Sequence, residues 1–247
     1  MPQFSDDLYL GPAVAGGAGP LPLLPNGTVD SEPSPMDVGV GPLGRIYIFD
    51  VVPAAASNTA IVNAQAVAGA GAVTMTATTV TLDRTGRCLR FVSSAAGDTT
   101  QTVTVTGTDM YGQAMSETRT LNGTTVVNGT KAFYTVTGVT ASAALTGNLS
   151  VGTRDAYGLP VRVTDVAYII SAKWDGTLAD NAGTFTAADT TSPATATTTD
   201  VRGLFAQAGN AANGTRRLVI NIALSALACG PNATRVGAFG VSQNLAT

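Results

Sequence analysis

A chain of 247 residues with no histidine has room for one large β domain or two small ones. It lacks the usual neutral-pH general base, the partner that Ser-His and Cys-His catalysis needs, and the commonest zinc and iron ligand. Only 12% of residues are charged and the net charge is −3, so there is no basic field to attract nucleic acid, and no apolar run nears the 18 or so residues of a membrane-spanning helix.

Residues 1–44 contain Asp6, Asp7, Asp30, Glu32 and Asp37 and no Lys or Arg. The remainder carries a small positive excess. Residues 11–44 hold seven prolines, which leave no room for a helix or a ladder strand. Leu21, Leu23 and Leu24 sit between Pro20, Pro22 and Pro25, and Val38, Val40 and Leu43 follow at the far end. Proline-flanked leucines suit an extended strap that a partner orders, because proline reduces the entropy lost on ordering. These six residues are the expected contacts of a docking arm. The first positive side chain is Arg45, so the basic start of a classical signal peptide is not expected.

From Arg45 the pattern has period two. Strands are expected over Arg45–Val52, Ala60–Ala68, Val73–Leu82, Arg87–Ser93, Thr100–Gly107, Ala114–Leu121, Val126–Val127, Ala132–Val139 and Leu149–Gly152, with Asn122-Gly123 and Asn128-Gly129 as hairpin turns. The Val/Thr alternation implies sheets with one buried and one wet face. Short strands at this spacing read as an Ig-like or Greek-key β-sandwich. Asp109-Met-Tyr-Gly112 is echoed by Asp155-Ala-Tyr-Gly158, and the echo reads as one turn used twice, with Asp capping and Gly at positive φ.

Beyond Gly158 the sequence predicts strands at Val161–Val163 and Val166–Lys173, an edge strand at Thr184–Ala187, a loop at Thr190–Thr199, and either a short strand or a turn within Val201–Ala208. Arg216–Ser225 is a strand introduced by Asn213-Gly214. The division that follows is an arm (1–44), a β-sandwich (45–155) and a second small β unit (156–247). Arg45–Val52 belongs to either unit on sequence grounds.

Chemistry is sparse. The acids Asp109, Asp155, Asp175 and Asp180 stand singly at turn-like positions, where capping explains them. No phosphate-binding loop, dinucleotide fingerprint or EF-hand occurs, so no enzymatic activity, cofactor or metal is expected. Cys88 and Cys229 have neither CxxC nor metal spacing and read as buried thiols, with their pairing left open. Six Asn-x-Ser/Thr sequons, four of them Asn-Gly-Thr, read as turns feeding Thr-rich strands. Trp174, at the end of an apolar run, is either an interface anchor or a cap on the local core. Arg216-Arg217 and the group Arg84, Arg87 and Arg90 are the basic clusters that either receive an acidic arm or lie on solvated strands.

Gly97–Phe133 (GDTTQTVTVTGTDMYGQAMSETRTLNGTTVVNGTKAF), Tyr157–Arg162, Thr191–Gly203 and Asn213–Arg217 resemble runs in tailed-bacteriophage virion structural proteins, head-decoration or cement-like proteins in particular. The resemblance spans roughly residues 90–220 and leaves out the arm. It implies a capsid-associated β protein present in many copies, often a homotrimer, with the major capsid protein as partner. Its place is then the capsid surface of the virion, after synthesis in the bacterial host cytoplasm. No site residues carry over from it. A tail-tube, head–tail connector or fibre-associated protein fits the same composition, and a carbohydrate-binding adhesin module is the alternative from another class.

Overall fold

The structure, a computed structural model, describes residues 45–178, 183–189, 191, 195–224 and 243. In chain order its strands are β1 (Arg45–Val51), β2 (Val62–Ala66), β3 (Gly71–Ala72), β4 (Val80–Thr81), β5 (Arg87–Ser93), β6 (Thr102–Thr108), β7 (Ala114–Thr120), β8 (Val127–Phe133), β9 (Thr135–Ala141), β10 (Asn148–Gly158), β11 (Ile169–Trp174), β12 (Thr177–Leu178), β13 (Gly183–Thr186), β14 (Leu204–Gln207) and β15 (Leu218–Leu224). The fold is all-β, and every pairing is antiparallel.

Three sheets form. One has the order β3-β9-β6-β7, with β4 also on β9. The central sheet runs β13-β14-β10-β5-β8, with β2 on β10. The terminal sheet runs β1-β15-β11-β12. Alternation explains the first interface. Val103 and Val105 of β6 are fully buried while Thr102, Thr104 and Thr106 take the other face. The valines meet Leu89 and Phe91 of β5, Leu149 and Val151 of β10, and Val136 and Val139 of β9 in a dry core. The connections β5–β6, β7–β8, β8–β9 and β9–β10 each cross between these two sheets, so residues 60–155 form the expected sandwich.

A second core gathers Phe49, Tyr157, Trp174, Phe205, Leu218, Ile220 and Ile222 beneath the terminal sheet. Strand β10 serves both cores, since Leu149 and Val151 lie in the first and Tyr157 in the second. The boundary expected at 155/156 therefore falls inside a strand. Of the two assignments open for Arg45–Val52, the second holds, because β1 pairs with β15 from Arg45↔Leu224 to Val51↔Leu218.

Some expected elements differ. Most of Val73–Leu82 leaves the ladder. Thr76 turns away so that its N–H and hydroxyl donate to the carbonyls of Ile61 (2.9 Å) and Ala60 (2.8 Å), and only β3 and β4 at its flanks pair with β9. Asn128-Gly129 is not a turn. It lies within β8, and glycine is needed there because an added Cβ would stand 2.6 Å from Glu117 Oε2. Ala132–Val139 is two strands, because the chain changes sheet at Tyr134 between β8 and β9. Val161–Val163 is no strand; the Val163 N–H is spent on the Arg202 carbonyl instead (3.0 Å). Val166–Tyr168 is a 3-10 turn capped by Asp165. Thr184–Ala187 matches β13, an edge strand, and the open region Val201–Ala208 resolves as β14.

Candidate interaction face and the ionic seam behind it

The terminal sheet is apolar on both sides at β1. Its inner side sends Phe49 into the core, with Tyr47 and Val51 packed against it. On the outer side Ile46 and Ile48 are 49% and 70% exposed, and Ile170 of β11 is 56% exposed. Register places Ile46 opposite Ala223 and Ile48 opposite Asn221. The result is an uncovered apolar face on a sheet whose first strand is an edge among the described residues. Exposed edge strands of this length invite pairing or docking unless they are covered. One end of the face is charged. Arg217 of the 215–217 approach to β15 makes a two-toothed ion pair to Asp50 of β1, with Nε to Oδ1 at 2.6 Å. The Arg217 hydrogen bond holds the Asp50 carboxyl below its usual range.

Behind this face lies an ionic seam that ties the sandwich to the second core. Arg87, 2% exposed, donates to Asp155, to Asp83 at 2.9 Å, and to the carbonyls of Ala54 at 2.6 Å and Arg154 at 3.0 Å. Asp155 also accepts from the Ala212 N–H at 3.1 Å. The Arg87 guanidinium lies 5.5 Å from the Tyr157 ring centre. A second node repeats the chemistry. Arg202 pairs with Asp109, both buried, and lies 4.6 Å over the Tyr111 ring. The two Asp-x-Tyr-Gly segments thus share one construction, an Asp holding an arginine that covers the segment's own tyrosine.

The seam continues through Asp200, which accepts from the N–H groups of Ala132 (3.0 Å) and Arg202 (2.9 Å). Burial pushes its carboxyl above the usual range against the pull of those donors. Glu117, fully buried on β7, accepts from Thr130 N–H at 2.6 Å and from Arg119 Nε at 2.9 Å, while its Oε2 has no hydrogen-bond partner. Burial raises it as well. Burial lowers Lys131, whose Nζ donates to the Thr199 carbonyl at 3.4 Å. A cavity of about 10 Å³ opens beside Thr85, Asp109, Ala132, Asp200 and Arg202. It is water-sized and too small for a substrate. Among the described residues no three His, Cys, Asp or Glu side chains group as metal ligands.

The expected contact residues scatter. Trp174 is the cap of the local core and not an interface anchor. It is 2% exposed, stacks on Tyr157 with ring centres 6.4 Å apart, and gives its indole N–H to the Asn210 carbonyl at 2.9 Å. Arg216 is engaged within the chain, donating to the Ala211 carbonyl and pairing with Asp175 at 3.5 Å. Arg217 is exposed but already holds Asp50. Within the group Arg84, Arg87 and Arg90, the buried Arg87 belongs to the seam. Cys88 is a buried thiol raised by desolvation. Leu21, Leu23, Leu24, Val38, Val40, Leu43, Asp180 and Cys229 lie outside the described residues. The uncovered isoleucines have a sequence signal in RIYIFDV: a strand with apolar residues at successive positions is apolar on both faces. Arg202 carried no local signal, because Asp109 and the Tyr111 ring are brought to it from the turn between β6 and β7.

In comparisons with known proteins, no family, curated protein or solved structure matched the chain.

Proposed function

We propose that the protein is a non-enzymatic structural subunit that decorates and cements a tailed-phage capsid. The observation that carries this reading is the uncovered apolar face of Ile46, Ile48 and Ile170 on a rigidly backed sheet, placed where the acidic, proline-rich arm joins the body. Low overall charge and the virion-like runs of the sandwich support the same reading. Each isoleucine that a capsid subunit covers fully contributes on the order of 1–2 kcal/mol at about 25 cal/mol per Å². Three copies in a homotrimer turn such weak contacts into firm attachment by avidity. The arm adds a second contact through Leu21, Leu23 and Leu24.

The test is co-sedimentation with undecorated capsids. Deleting residues 1–44 is expected to leave a folded body that no longer binds. Ile48→Asp with Ile170→Asp, in the full chain, is expected to weaken binding at least about tenfold, equal to about 1.4 kcal/mol, with the circular dichroism unchanged. Undiminished binding by both variants rules out this docking scheme.

A further inference from the structure

The face of the central sheet turned away from the sandwich core carries positive charge without a counter-charge. Leu89 of β5, Val151 of β10 and Phe133 of β8 point into that core, so alternation turns Arg90, Arg154 and Asn128 the other way. No acid of β5, β8 or β10 lies on that side beside them. Register sets Arg90 between Gly152 of β10 and Asn128 of β8. Arg154, two residues on from Gly152, is diagonal to Arg90, within reach of a long side chain. It crosses β5, since its Nη1 donates to the Gly129 carbonyl of β8 at 3.3 Å. Burial raises the Cys88 thiol and Arg154 is the charge that opposes this most, which fits a guanidinium passing on the Cys88 side of the strand.

Neither arginine has an ion pair among the described residues. Arg90 Nε is shut off from solvent with no hydrogen-bond partner, and an unmade hydrogen bond of a buried donor is costly. The carboxylates that border this face are spent elsewhere. Glu117 serves Arg119 and the Thr130 N–H, and Asp200 serves the N–H groups of Ala132 and Arg202. Two cations thus share a half-buried face and repel each other unless an anion joins them. We propose that Arg90 and Arg154 hold a tetrahedral oxyanion of the phosphate or sulfate class between them, with the Asn128 amide at its margin. Two guanidinium forks from different strands decide the class. A carboxylate has two oxygens, which one fork fills, whereas a tetrahedral anion offers oxygens to both forks at once. The site has walls on two sides. An added Cβ at Gly152 would stand 2.1 Å from the Ser57 carbonyl oxygen, so the chain at Ser57 closes the β10 side. Arg119, bound to Thr130 Oγ1, closes the β8 side. This site does not depend on the capsid reading.

Calorimetric titration of the full-length protein with inorganic phosphate at low ionic strength tests it. One saturable site is expected. Arg90→Gln and Arg154→Gln are each expected to weaken binding at least about tenfold. Arg90→Lys keeps the charge but loses the fork, and is expected to weaken it as well. Arg84→Gln removes an exposed arginine outside the site and is expected to leave binding unchanged. Phosphate is expected to raise the thermal midpoint of the wild type and not that of either glutamine variant; a variant that misfolds reveals it in the midpoint without phosphate. Sulfate is expected to compete and acetate is not. Competition by a phosphate monoester such as methyl phosphate assigns the site to an anion carried on a larger molecule, and its exclusion assigns it to the free ion. No saturable binding, undiminished binding in both glutamine variants, an equal loss in Arg84→Gln, or an equal response to acetate would overturn the proposal.

Discussion

Asp109-Met110-Tyr111-Gly112 and Asp155-Ala156-Tyr157-Gly158 differ at one residue, yet the first reverses the chain and the second stays in a strand, across a register shift against β5. In the first, Asp109 Oδ1 accepts from the N–H groups of Tyr111 and Gln113, each at 2.9 Å, and Gly112 takes φ +77°. In the second, the same residues finish β10 and Asp155 turns outward to Arg87 and the Ala212 N–H. Gly158 is required for a different reason: an added Cβ would stand 2.7 Å from Ala132 Cβ. The backbone differs because β10 has neighbours on both sides, β5 and β14, that fix its extended form. The β6–β7 end has none to prevent a turn. What the segments share is the Asp–Arg–Tyr construction, which works on either backbone.

The comparison breaks most visibly at its arginines. Arg202→Ala leaves Asp109 buried without its ion pair and is expected to cost about 3–5 kcal/mol, read as a fall in the denaturation midpoint. Arg87→Ala is expected to cost less, about 2 kcal/mol, because Asp83 and Asp155 keep access to water, with 20% and 17% of their side chains exposed. Equal losses in the two variants would mean that burial does not separate the nodes.

The glycines sharpen the contrast at smaller scale. Gly158→Ala is expected to lose about 1–3 kcal/mol through overpacking and to recover much of it when combined with Ala132→Gly. Gly112→Ala meets no atom within 4 Å, so its cost of about 1–2 kcal/mol is backbone strain alone, and Ala132→Gly is not expected to relieve it. A double-mutant cycle on both pairs decides the matter.

Acidity gives a further reading of the seam. Glu117 and Asp200 have carboxyls raised by burial, so the folded state binds more protons than the unfolded chain above the ordinary carboxylate range near pH 4. Their contribution to stability is therefore greatest at low pH and declines as pH rises from there through the raised values. Relative to the wild type, Glu117→Gln is expected to gain stability steadily over that window. A pH-independent difference between the two would contradict it. The smallest effect is expected at Ile48→Thr on the exposed face, within about 0.5 kcal/mol.

The sandwich was legible because its information is local. Val103 and Val105 alternate with threonines, and that alternation alone chooses which face is dry. Thr184–Ala187 and the Asn213-Gly214 entry to β15 were legible likewise, the latter because Asn213 Oδ1 accepts from the N–H groups of Thr215 and Arg216, each at 2.9 Å. Asn128-Gly129 misled because the partner that demands glycine, Glu117, comes from β7. Val73–Leu82 misled because alternation cannot reveal that Thr76 has carbonyls at 60 and 61 to satisfy.

By itself the sequence determined the β class, the sandwich and the contrast between an acidic arm and a slightly basic body, all matters of composition and near-neighbour pattern. Only the tertiary structure decided that β1 closes on β15, that Trp174 faces inward, and that Ile46, Ile48 and Ile170 share an uncovered face. Those outcomes depend on which distant strands are neighbours, and period-two alternation says that a strand has two faces without saying what lies against either.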